Sequence, residues 1–257
     1  MQSKMDNQKR SNPFKDISEF EKDLTAFANS HRIVIAEHAR RISDYFEMSC
    51  YSMIVKYYEL NGYTVYADNL FSGQFKFKCS PKGLLKKFSY FKAKKDDQTF
   101  RIYHNASVQS KYEKRLFTTP DIVIATDEEP EIITDYYLTK MRFSYIPNKQ
   151  MISFCEAKHY IPFPELIINF IGTVHELFPS CLKNHKTKEE SLKQHIAPSL
   201  MMSGYFSKQA KAIKESFEKR YTINVIGDLV VNPYMTVFCS SGIPTITTLG
   251  YKGEGKE

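Results

Sequence analysis

Two short runs decide how this chain is read: Pro120-Asp121-Ile122-Val123-Ile124-Ala125 and Met151-Ile152-Ser153-Phe154-Cys155-Glu156-Ala157-Lys158. Both are short, largely apolar and too brief for a helix, so they read as buried strands. The first has its acid at the start. The second closes on an acid and a lysine. Asp121 and Glu156 lie 35 positions apart, room for a turn, an inserted hairpin and a return strand. If the two strands are neighbours, Asp121 and Glu156 meet at one edge of a sheet. Strand alternation puts Glu156 and Lys158 on the same face.

Working outward, residues 14–29 carry helical spacing through Phe20, Leu24 and Phe27. Residues 33–60 predict a long helix, with a break near Ser43. Phe46, Cys50, Met53, Ile54 and Tyr57 recur at threes and fours, and Asn61-Gly62 stops it. Residues 63–67 and 100–108 predict strands, and 136–145 a hairpin-like insertion closed by Pro147-Asn148. A helix is expected over 164–177 with Pro164 in its first turn. Residues 181–193 read as loop, 199–220 as helix, 222–230 as a strand and 235–238 as a last one. Residues 1–12 and 250–257 read as flexible arm and tail, leaving 13–249 as a single domain. Helices before and after a mostly β centre predict an α/β fold with a central mixed β-sheet flanked by helices.

Composition narrows the class. The chain has 257 residues, 42% hydrophobic and 25% charged, which excludes a wholly disordered protein. Its longest apolar run, at 166–171, is interrupted by Asn169 and is far shorter than a membrane span. The polar N-terminus lacks the apolar core of a secretory signal. Five scattered cysteines without a Cys-x-x-Cys pair fit neither a disulfide framework nor a zinc ribbon. A cytoplasmic setting without membrane association is the expectation.

Charge is concentrated. Between positions 72 and 118, ten lysines and two arginines face three acids. That surplus of nine exceeds the net +7 of the whole chain, so the remainder is slightly acidic. A local cationic segment fits a polyanion partner, and Lys76, Lys78, Lys86, Lys87, Lys92, Lys94, Lys95 and Arg101 are the candidate nucleic-acid contacts. Charge alone fits a solvated face equally well. The aromatic residues interleaved with these cations, from Tyr63 to Tyr103, fit a sheet core or a base-stacking track.

Two carboxylates and an ammonium gathered at one point repel and attract in a way that a hard divalent cation would resolve. Mg²⁺ takes oxygen ligands, keeps several waters, and is commonly held by one or two carboxylates plus substrate phosphate. Other signatures are missing from the sequence. There is no phosphate-binding GxxxxGK[ST] loop, and His175-Glu176 lacks the second histidine of a metalloprotease helix. Cys181, His185 and His195 match no usual zinc spacing.

The pattern Pro120-Asp121 … Glu156-Ala157-Lys158 resembles the motif of the PD-(D/E)XK, or restriction-endonuclease-like, nuclease superfamily. The order helix, strand, strand, Asp strand, Glu-x-Lys strand, helix is similar to its core over residues 44–177, with 72–118 as a basic segment and 199–249 as a helix and strand extension. The resemblance implies metal-dependent hydrolysis of phosphodiester bonds. It makes Asp121 and Glu156 Mg²⁺ ligands, with Mn²⁺ an expected substitute, and Lys158 the residue that positions the attacking water. It assigns Glu47, on the preceding helix, to an outer or second-metal role, although Asp44-x-x-Glu47 equally fits a capping box. It implies DNA more readily than RNA as substrate. Restriction, repair or anti-phage defence would be the setting, with a homodimer or a sensor or ATPase subunit as partner. A module that binds nucleic acid without cutting it, or an RNA nuclease, is the alternative on the same fold.

Overall fold

The computed structural model describes residues 18–31, 42–80, 83–134, 142–183, 195–229 and 246–249. The sequence expectations for residues 1–12, 33–41, 235–238 and 250–257, and for most of 181–193, fall outside them.

Two helices come first, α1 (Ser18–Ser30) and α2 (Ile42–Leu60). Helix α2 is buried nearly all round, from Phe46 to Tyr58, so it lies inside the fold and not along its surface. It ends where expected. Gly62 takes φ +83°, and Tyr63 N–H reaches back to the Tyr58 carbonyl at 3.1 Å, which satisfies an orphan carbonyl of the last turn.

The strands then follow: β1 (Thr64–Asp68), β2 (Tyr90–Lys95), β3 (Gln98–His104), β4 (Ser107–Gln109), β5 (Phe117–Thr118), β6 (Ile122–Thr126), β7 (Glu131–Ile133), β8 (Phe143–Ile146) and β9 (Met151–Lys158). Helix α3 (Pro164–Leu177), strand β10 (Ser199–Met202), helix α4 (Lys208–Arg220) and strand β11 (Asn224–Ile226) complete the order. Among the described residues, a seven-stranded mixed sheet runs β1-β2-β3-β6-β9-β10-β11. It is antiparallel as far as β9 and parallel from β9 to β11. A smaller sheet, β5-β4-β8-β7, stands beside it.

The large sheet is covered on both faces. Ile122 and Ile124 of β6, with Cys155 and Ala157 of β9, join α1 and α2 in one core. Val123, Ala125 and Phe154 join α3, Ala210 of α4 and strand β10 in the other. This strict alternation fixes the register, because a slip of one residue would send each set to the wrong side. A fully buried Ile, Leu or Phe in such a core contributes about 1.5–3 kcal/mol.

Two expectations are corrected. Residues 199–220 are not one helix: Ser199–Met202 form β10, and α4 begins only at Lys208, capped by Ser207. All four residues of β10 are buried between β9 and β11, and a parallel strand covered on both faces shows no alternation to read. Residues 100–108 are not one strand, because Asn105 adopts φ 51° and sends the chain from β3 into β4 of the smaller sheet. Of the insertion expected at 136–145, residues 136–141 lie outside the described residues; the described strands on either side, β7 and β8, pair antiparallel through Ile133↔Phe143.

Candidate active site

The site begins with register. Strand β6 runs antiparallel to β9 with Ile122 opposite Cys155. Asp121, one residue before β6, therefore falls beside Glu156, near the end of β9. Asp121 is 7% exposed. Its Oδ2 accepts the backbone N–H of Ala157 at 2.7 Å and the Lys158 ammonium at 2.7 Å. The same ammonium lies 2.7 Å from Glu156 Oε2. Asp121, Glu156 and Lys158 thus meet, as their spacing predicts, with one cation bridging two carboxylates.

The electrostatics show what this costs. Burial pushes the Glu156 carboxyl above its ordinary value, and the adjacent Asp121 carboxylate pushes the same way against Lys158. Burial works against the Lys158 charge, but Glu156 and Asp121 outweigh it and raise the ammonium's pKa. Burial first, and then a second carboxylate sharing a single ammonium, keep Glu156 raised.

Glu47 stands in the second turn of α2, 3.9 Å from the His104 imidazole and within electrostatic reach of Asp121 and Lys158. Asp44 sits in the first turn of a helix described from Ile42. The Glu47 carboxyl is raised to about 7, by burial first and the Asp121 carboxylate second, while a hydrogen bond from Asn105 works against the rise. The capping-box reading of Glu47 gives way to this contact.

Behind Glu47 are residues the sequence does not mark. His104 closes β3 and is buried. Its Nδ1 lies 3.0 Å from the Lys78 carbonyl, which accepts, and 3.2 Å from the Asn105 side-chain amide nitrogen, which donates, so these two partners compete for it. Its Nε2 is buried without a hydrogen-bond partner, 3.9 Å from Glu47 Oε2. Burial brings the imidazole pKa down to about 4, so the ring is neutral near pH 7 and the contact is not an ion pair. Asn105 reaches the site because its left-handed turn also lets its backbone N–H bond the Asp121 carbonyl at 2.8 Å. The Asn at a strand end was a visible signal, since Asn tolerates positive φ. His104 had none.

The donors facing Lys158 are carboxylate oxygens, which suit a hard cation. Among the described residues, no three His, Cys, Asp or Glu side chains are grouped so that they could hold a metal ion. The residues present fit an ion held by Asp121 and Glu156 and otherwise by water and phosphate, the usual mode for Mg²⁺.

The cationic segment divides into three. Lys76, Lys86, Lys87 and Lys94 are exposed. Lys92 and Lys95 are partly covered, with Lys92 paired to Asp127 at 3.1 Å and Lys95 donating to the Asn61 carbonyl at 3.0 Å. Lys78 and Arg101 are not on the surface. Lys78 is 1% exposed and donates to the carbonyls of Ser80 and Asn105, both at 2.5 Å, and burial lowers its pKa to about 8. Arg101 is held by Asp127 and Glu129. Tyr63, Phe75, Phe77, Phe91, Phe100 and Tyr103 are core residues. His195 is buried too, 3.2 Å from the Tyr58 hydroxyl.

No helix among the described residues is long and apolar enough to cross a membrane. Compared with known proteins, the chain matches no family model, no curated protein and no solved structure.

Proposed function

We propose that this protein is a Mg²⁺-dependent nuclease of the PD-(D/E)XK type that hydrolyses phosphodiester bonds at the Asp121–Glu156–Lys158 rim. The observation that carries the reading is the Lys158 ammonium bridging Asp121 and Glu156, 2.7 Å from each. Asp121 and Glu156 would hold the metal, with Glu47 in an outer role. The bound ion supplies a more acidic water and stabilises negative charge on phosphate oxygens.

Each residue of the chain then has a task. Asp121 is pinned by the Ala157 N–H, so one of its oxygens keeps a fixed position. Glu156, burdened by burial and by Asp121, gains from a further cation. Lys158 lies beside both carboxylates, where its ammonium orients a water for in-line attack and offsets charge on the phosphorane. Exposed Lys76, Lys86, Lys87 and Lys94 attract the phosphate backbone. DNA is the proposed substrate, on the strength of the motif's resemblance.

The test is a gel assay on supercoiled plasmid, linear duplex, single-stranded DNA and RNA, each with Mg²⁺, Mn²⁺ or chelator. Wild-type protein should cut DNA only with metal. Asp121→Ala and Lys158→Ala should each lose about a hundredfold or more while melting cooperatively. Wild-type rates in both variants would overturn the site. Salt-sensitive binding without turnover in any metal would identify a binding module instead.

A further inference from the structure

Strands β9 and β10 end side by side, with Lys158 paired to Met202. The two loops that leave them are fastened together. Tyr160 N–H bonds the Lys158 carbonyl at 2.8 Å, and Gly204 N–H bonds the Tyr160 carbonyl at 3.1 Å. A Cβ on Gly204 would lie 2.6 Å from Ile161 Cα, so the loops touch through backbone. On this joined surface four large apolar side chains face solvent: Tyr160 at 63%, Ile161 at 51%, Tyr205 at 45% and Phe163 at 42% exposure. Exposed apolar residues scattered singly need no explanation, but a cluster beside a charged site does. Lys208, exposed at the start of α4, adds a cation three residues beyond Tyr205.

We infer that the Tyr160–Ile161–Phe163–Tyr205 face is a stacking platform for unpaired nucleobases, so that the enzyme prefers single-stranded segments to closed duplex. The inference rests on the nuclease reading of the adjoining rim. A nucleotide whose phosphate lies at Lys158 carries its base onto neighbouring surface, and the loop that starts at Lys158 supplies that surface. Aromatic rings beside a cation are the usual way to hold a single strand without reading its sequence. Within a duplex the base faces are already stacked on each other, so these rings can engage only a base that is unpaired or terminal.

The test uses the full chain in chelator, with fluorescence anisotropy on three DNA probes: a single strand, a duplex with a single-stranded overhang, and a closed dumbbell duplex. The single strand and the overhang should bind at least about tenfold tighter than the dumbbell. Tyr160→Ala with Tyr205→Ala should lose about tenfold or more on the single strand and less than about twofold on the dumbbell. The paired Phe substitutions should keep wild-type affinity, since the ring and not the hydroxyl does the stacking. Equal affinity for all three probes would overturn the inference, as would equal losses on all three. So would loss of self-association in sedimentation with strand binding unchanged, which would make the face a contact between copies of the chain. Metal-dependent cleavage with equal probe affinities would sink only the platform. Tyrosine-dependent strand binding without any cleavage would sink only the nuclease reading.

Discussion

Replacing Glu47 by Gln should make the metal-free protein more stable at alkaline pH. The Glu47 carboxyl is raised from 4.5 to about 7, by burial and then by Asp121. A raised carboxyl contributes stability that is complete below the unfolded value and lost as pH climbs through the folded one. Carrying one group from 4.5 to about 7 corresponds to about 3 kcal/mol, of which about 2–3 kcal/mol is lost between pH 5 and pH 8. Wild-type protein alone does not isolate this. His104 and His195 are both lowered to about 4 by burial, so their contributions rise with pH up to about 6.5 and oppose the Glu156 and Glu47 losses. The difference between wild type and Glu47→Gln removes those common terms. Urea denaturation in chelator should show the two proteins within about 1 kcal/mol at pH 5, with the variant ahead by about 2–3 kcal/mol at pH 8. Saturating Mg²⁺ at pH 8 should narrow that gap. A ligand at a hundred times its dissociation constant adds about 3 kcal/mol to the protein that holds it, and Gln is a poorer ligand than an ionised carboxylate. A variant less stable than wild type at pH 8 in chelator, or a difference that ignores pH, would refute the electrostatic account of the rim.

Two further outcomes separate surface cations from structural ones and test the joint between the loops. Lys86→Ala with Lys87→Ala should leave the melting temperature unchanged and lower the salt slope of DNA binding by about one per residue, read from titrations at several salt concentrations. Arg101→Leu should do the reverse, costing about 1–2 kcal/mol in thermal or urea unfolding because it removes the guanidinium's bonds to Asp127 and the buried Tyr103 hydroxyl, with little change in the salt slope. Gly204→Ala should cost about 1–3 kcal/mol, because its Cβ would meet the Ile161 backbone, and should weaken single-strand binding in proportion as the loops part.

What was legible in the sequence follows from how local each cause is. The runs Ile122–Ala125 and Met151–Ala157 declare themselves because they are short, largely apolar and too brief for a helix. The meeting of Asp121 with Glu156 was readable only because each sits at the polar end of its run, so any antiparallel pairing of the two strands brings those ends together. Ser199–Met202 obeys the same physics but is four residues long, and an apolar run that short carries no period with which to tell strand from helix. The cations divide for a different reason. Strand β2 alternates Phe91 and Ala93 inward with Lys92 and Lys94 outward, so those two lysines are partly legible from period two. Lys78 is not, since its burial depends on the Asn105 carbonyl, 27 residues away, presented by a left-handed turn that ends β3. That same turn brings the Asn105 side chain to Glu47 and the Asn105 N–H to the Asp121 carbonyl. A single change of backbone hand at Asn105 therefore seats a lysine in the interior and sets two candidate ligand carboxylates in place. From the sequence that lysine reads as a nucleic-acid contact.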